Sequence, residues 1–223
     1  MSDDKYAPPK PSKGDVGHSL AKAALSAVPV VGGSAAELFQ LLIQPSLEKR
    51  RAAWMEGVAD GLKKLEEEGL KLDDLKDNEE FTSAVMQASQ IAMRTHQQTK
   101  LDALRNAVLN VAAGQAPEDA LQAMFLNFVD TFTEWHLAIL KLFQAPPEQK
   151  GMMAGGLSHV LETAFPDLRG RREFYDTIWR DLFQRGLVNT ETLHAMMSGS
   201  GLTQKRTTPH GDQFLAFIAE PQS

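Results

Sequence analysis

Apolar residues recur at intervals of three and four along most of this chain, the period of an α-helix packed on one side. Over 46–68 the stripe is Leu47, Trp54, Val58, Leu62 and Leu65, and Gly69 closes it after a charged last turn. Asp77 and Glu80 form a capping pair that opens a helix to about residue 95, with Phe81, Val85, Ala88 and Ile91 inward. Leu101, Leu104, Val108 and Val111 make another over 99–113, ended by Gly114. Pro117 then starts the most hydrophobic stretch, 118–143. Its Leu121, Phe125, Phe128, Phe132, Trp135, Ile139 and Leu142 predict one long central helix buried on more than one side.

Residues 144–151, with Pro146 and Pro147, read as a linker. Beyond it, 152–164 predicts a weaker helix. Phe174, Ile178, Leu182 and Phe183 predict a stronger one that stops at Gly186. A short helix over 190–197 follows the cap Asn189, then an extended piece over 202–207. Thr208 and Pro209 open a last helix carrying Phe214, Leu215, Phe217 and Ile218. The fold class that follows is all-α. The expected parts are a disordered tail over 1–14, a helical bundle over 15–143, the linker, and a small helical module over 152–220 with a winged-helix-like order. A winged helix that reads DNA wants a basic recognition helix, but 190–197 holds Glu191 and His194 and neither Lys nor Arg. Packing or protein contact is therefore expected of this module, and nucleic acid is not expected as a partner.

One stretch departs from the pattern of alternating faces. From residue 23 to 43 the only charge is Glu37, and Pro29, Gly32 and Gly33 break the helix that the apolar residues would form. Asp15 caps an expected short helix over 16–28, Ser34 and Glu37 box the start of the next, and Pro45 is expected to kink or restart it. Leu20, Leu25, Val28, Val30, Val31, Leu38, Phe39 and Leu42 are the candidate contact residues of this apolar segment for a membrane or a partner. The aromatic stretch 125–143 is expected to cover the segment at rest. Just beyond it, Lys49, Arg50 and Arg51 are candidates for contact with an anionic surface, although three adjacent charges spread around a helix rather than forming one patch.

Composition narrows the classes. Net charge is −6 among 223 residues, so no global basic field draws the chain to nucleic acid. Zero cysteines exclude disulfides, thiol catalysis and cysteine-ligated zinc, in keeping with an expected cytoplasmic location. No signal peptide is read at the start, and the proline and glycines interrupt 23–43 as a membrane span.

Candidate chemistry is sparse. No two of the six histidines are one helical turn apart, which a paired-histidine metal site requires. His159 with Glu162, Asp130 with Glu134, and His136 beside them are the spacings worth testing, and solvated or locally hydrogen-bonded faces are the expected reading of all of them. No nucleophile elbow, phosphate loop or dinucleotide fingerprint occurs. No cofactor, metal or catalytic residue is expected.

The segments SAVPVVGGSAAELF at 26–39, EKRR at 48–51, HQQTKLDALRNAVLN at 96–110 and TTPHGDQFLAFI at 207–218 carry a resemblance. Their pattern resembles all-helical bacterial proteins akin to the abortive-infection alpha type, in which a proline–glycine apolar segment leads a helical bundle. The resemblance implies a bacterial source and a role in defence against phage, and supplies no catalytic residue. The functional expectation is a non-enzymatic interaction or effector protein, cytoplasmic and membrane-associated on activation. Its partner is expected to be a protein, a second copy, or an anionic membrane surface. The rival expectations are an adaptor in which 18–43 is core, and an enzyme whose site gathers Asp130, Glu134, His136 or His159.

Overall fold

The structure, a computed structural model, describes residues 35–148 and 153–222. It is all-α apart from one two-residue strand pair. The expected tail over 1–14 and helix over 16–28 lie outside the described residues.

The first helix, α1 (Ala35–Glu67), runs 33 residues without a break. Pro45 sits inside it rather than kinking or restarting it. A proline removes the bond to the carbonyl four residues back. That residue is Leu41, 61% exposed, so water can take the freed carbonyl. From Trp54 onward α1 packs on the body, with Trp54, Val58 and Leu65 buried. Trp54 Nε1 donates to Ser89 Oγ at 2.9 Å, tying α1 to α2 (Glu79–Ala92). Asn78, one residue after the expected Asp77, caps α2 by accepting from Phe81 N–H at 2.9 Å.

The centre of the molecule is α3 (Gln98–Ala112), which touches α1, α2, α4 and α9. Leu104, Ala107 and Val108 on it are wholly buried. The expected long helix over 118–143 is instead two, α4 (Asp119–Thr131) and α5 (Glu134–Gln144). Phe132 turns extended at ψ 149°, and Thr133 caps α5. The side chain of His136 reaches back to accept the Thr133 backbone N–H at 3.1 Å, which no apolar spacing announces.

Past residue 148, β1 (Ala154–Gly155) pairs antiparallel with β2 (Met197–Ser198), Ala154 opposite Ser198. Between them lie α6 (Leu157–Ala164) and α7 (Arg172–Gln184). Gly186 adopts φ +71° to end α7, a conformation that costs glycine nothing. The expected helix over 190–197 is absent: these residues form bends and the β2 strand. Trp179 Nε1 donates to Thr190 O and Ser158 N–H to Leu193 O, both at 2.9 Å, so the segment's carbonyls are spent on neighbouring helices. The single turn α8 (Gly199–Leu202) and α9 (Pro209–Phe217) complete the chain. Thr208 caps α9, accepting from Gly211 N–H at 3.0 Å, and Pro209 occupies the first turn as its ring allows.

One apolar core runs from Trp54 on α1 to Phe217 on α9, passing both sides of 144–151. Phe125 and Phe128 on α4 meet Phe214 on α9 at 5.3 and 5.8 Å between ring centroids. Asn110 Nδ2 on α3 donates to Phe217 O at 2.8 Å and to Ala219 O at 2.9 Å, satisfying the C-terminal carbonyls of α9.

Candidate functional site

Three places gather chemistry. The first is the front of α1. Its residues 43–53 are all exposed, as is Leu41, so roughly three turns of helix stand clear of the body. Leu41, Ile43 and Leu47 are 61%, 39% and 42% exposed. At 100° per residue, Ile43 and Leu47 continue the stripe that Trp54, Val58 and Leu65 bury on the body. The apolar face therefore outlasts the surface it packs on. Lys49, Arg50 and Arg51 sit on this arm, exposed. Among the described residues none of the three forms an ion pair. Leu41 and Ile43 thus stand in water rather than beneath the aromatic stretch expected to cover them.

The second place is the α4–α5 junction. His136 is buried, stacked on Phe132 at 4.6 Å with the rings 6° from parallel. Its Nδ1 accepts from Thr133 N–H, which leaves Nε2 to donate to Asp181 Oδ2 at 3.3 Å. Asp181 Oδ1 takes Arg185 Nε at 3.0 Å, and the Arg185 guanidinium lies 5.0 Å from the Phe128 and Phe132 rings. Lys100, also buried, donates from Nζ to Asp130 O at 2.8 Å, a cation at the C-terminal end of α4. Burial lowers the Lys100 pKa, against the pull of Asp130. Asp130 itself pairs with Arg94 at 2.8 Å. Asp130, Glu134 and His136 therefore lie near one another around Lys100. Asp130 and His136 are held by bonds that fix the helix junction, and His159 belongs to another helix, α6.

Burial also holds the His136 pKa below the usual imidazole value of 6.5; Asp181 pulls it upward, while Arg185 and Lys100 push it down. A proton added at Nδ1 would face the Thr133 N–H donor and break the return bond to the cap. The stability contributed by the neutral ring is complete above the unfolded value and is lost as pH falls through the lower folded value. The urea midpoint is expected to drop as pH falls below the usual imidazole value of 6.5, and His136→Gln to flatten that part of the profile. A profile equally steep in the variant would assign the loss to other groups.

The third place is a groove of about 490 Å³ beside α7, lined by Asp176, Trp179, Arg180, Phe183, Glu191 and Leu193 among others. His194 Nε2 meets Asp176 Oδ1 at 2.8 Å at its edge, and Arg172 meets the other oxygen at 3.4 Å. Behind them Tyr175 Oη donates to Glu162 Oε1 at 2.9 Å. Burial, then Glu162, push the Tyr175 hydroxyl up to about 12. The dyad orients an imidazole, and the groove offers aromatic rings with both signs of charge. Sequence spacing does not show this cluster, because Asp176 and His194 are 18 residues apart and joined only through the bends after α7.

Of the apolar contact residues, Leu20, Leu25, Val28, Val30 and Val31 lie outside the described residues. Leu38, Phe39 and Leu42 fall within α1. The two basic residues of the expected extended piece over 202–207 are both engaged: Lys205 pairs with Asp212 at 2.5 Å, and Arg206 is buried with its guanidinium on Gly201 O. Among the described residues no group of three or more metal-ligating side chains occurs, and no helix is long and apolar enough to cross a membrane. No family model, no curated protein and no solved structure matches this chain.

Proposed function

We propose that the protein is a non-enzymatic interaction protein that engages its partner through the front of α1. One observation carries this reading: the apolar stripe of α1 continues past the body onto Ile43 and Leu47, both exposed. An exposed contiguous apolar face rimmed by charge is the mark of an interaction surface. The basic trio at 49–51 adds attraction to an anionic partner. The bonds committed at the α4–α5 junction support a structural rather than a catalytic use of its ionisable groups.

The triple variant Leu41→Ser, Ile43→Ser, Leu47→Ser tests the reading. These side chains are exposed, so thermal unfolding should shift little, within about 0.5 kcal/mol. Two associations are measured for both proteins: self-association by sedimentation velocity, and flotation with phosphatidylglycerol vesicles. Association in at least one assay that the variant loses supports the arm. A wild-type chain indistinguishable from the variant in both removes it.

A further inference from the structure

We infer that the arm's occupant is a second copy of this chain, with the two α1 helices antiparallel and the arm of each lying on the acidic end of the other. The inference rests on the reading of α1 as an interaction arm and names its partner.

Charge is divided along the sequence. Beyond Ala53 lie 24 of the 29 acidic residues but only 16 of the 23 basic ones, so the body is strongly acidic. The densest acidic run begins where α1 ends: eight carboxylates fall between residues 66 and 80, against Lys71 and Lys76. Beside them Leu70 and Leu72 are only partly buried, packed on the small core of Leu65, Leu75, Leu109 and Ala112. This end therefore offers an apolar rim surrounded by negative charge. The arm offers the converse, exposed leucine and isoleucine followed by Lys49, Arg50 and Arg51.

The basic half of the match sits on α1, and the acidic half begins at the C-terminal end of the same helix. Arg50 and Glu67 are separated by about 25 Å of helix axis. An antiparallel pair sets each basic arm against the partner's acidic end, twice, by one two-fold axis. A parallel pair would set like charge on like. An anionic bilayer fits less well, because the acidic end of the same helix and the net charge of −6 would oppose it.

The test is a charge exchange on the full chain. One variant carries Arg50→Glu and Arg51→Glu; the other carries Glu67→Arg and Glu68→Arg. All four side chains are exposed, so both variants should keep the wild-type circular dichroism and melting behaviour. Sedimentation velocity should show a wild-type dimer in the micromolar range that weakens as salt rises. Each variant alone should dimerise roughly tenfold more weakly or worse, and an equimolar mixture should recover the dimer, since both contacts are then complementary. Carbodiimide cross-linking of mixed ¹⁴N and ¹⁵N chains should join Lys49 of one isotope to a carboxylate at 66–80 of the other. A monomer at every concentration, or variants that fail to rescue one another, overturns the second copy. A monomeric wild type that still floats with vesicles through its arm overturns this inference alone. Monomer without arm-dependent flotation overturns the interaction reading as well.

Discussion

Phe125→Ala is expected to cost about 3–5 kcal/mol, the largest loss from any single truncation in the core. The ring is wholly buried on α4, with centroids of His210, Phe214 and Phe217 at 5.0, 5.3 and 5.9 Å and of Phe128 at 6.0 Å. Among the described residues it is the one side chain that touches three rings of the C-terminal helix at once. Removing it leaves a cavity that neither α4 nor α9 can close without giving up its other contacts. A domain of this size has a net stability of roughly 5–15 kcal/mol, so the variant should sit close to its unfolding transition. Urea denaturation followed by near-ultraviolet circular dichroism measures the cost. Amide exchange should speed up most in α9, whose hold on α4 is the contact removed. Phe125→Leu keeps most of the volume and should cost no more than about 1.5 kcal/mol. A loss below about 1 kcal/mol for the alanine variant would mean that the ring cluster does not hold the two halves together.

That cluster shows where sequence reading succeeds and where it stops. The stripes over 81–95 and 99–113 appear as α2 and α3 within a few residues, because a helix packed on one side prints its period directly onto the chain. Gly69, Gly114 and Gly186 all take positive φ at helix ends, as terminators do. The stretch 118–143 misleads for the same reason that it is informative. Its period continues through Phe132, but the break there depends on a threonine cap and a histidine that returns to it, and both residues are ordinary helix members elsewhere. Pro45 misleads in the opposite sense: a proline is costly inside a packed helix and cheaper where the freed carbonyl faces water. Residues 190–197 have helix-compatible letters, yet Trp179 and Ser158 claim their carbonyls from a distance.

The candidate sites divide the same way. The apolar excess near the start of the chain is visible as composition, but its described portion faces solvent at Leu41 and Ile43, where cover by the aromatic stretch is expected. Whether such a segment is core or arm is decided by how far the surface beneath it extends. That surface is built by α2 and α3, more than 30 residues later. The pairings of His136 with Asp181 and of His194 with Asp176 join different elements, so no spacing rule reaches them. His159 and Glu162 share a turn in the sequence, but Glu162 is taken by Tyr175 of α7.

Gly211→Ala is expected to unfold the first turn of α9 from its seat, at a cost of about 1–3 kcal/mol or more. An added Cβ would lie 2.2 Å from Leu187 O and 3.1 Å from Leu187 C, backbone atoms that cannot rotate away. The φ of Gly211 is not positive, so the cost is steric and not conformational. To relieve the overlap α9 must lift. Lifting it loosens the bond from Thr208 N–H to Leu187 O at 3.0 Å and that from Thr208 Oγ1 to Gly186 O at 2.6 Å. It also withdraws Phe214 and Phe217 from Phe125, so Gly211→Ala and Phe125→Ala should combine with a loss smaller than the sum of the two. The same substitution at Gly57 has the opposite sign. There the nearest neighbour to a new Cβ is Arg105 Cδ at 3.8 Å, an ordinary contact, and α1 gains about 0.5–1 kcal/mol from the better helix former. Equilibrium unfolding of the two single variants therefore separates backbone clash from glycine propensity within one protein. If the two proteins prove equally stable, α9 does not approach the turn at Leu187 as closely as described, and the packing that closes the C-terminal part of the core has to be redrawn.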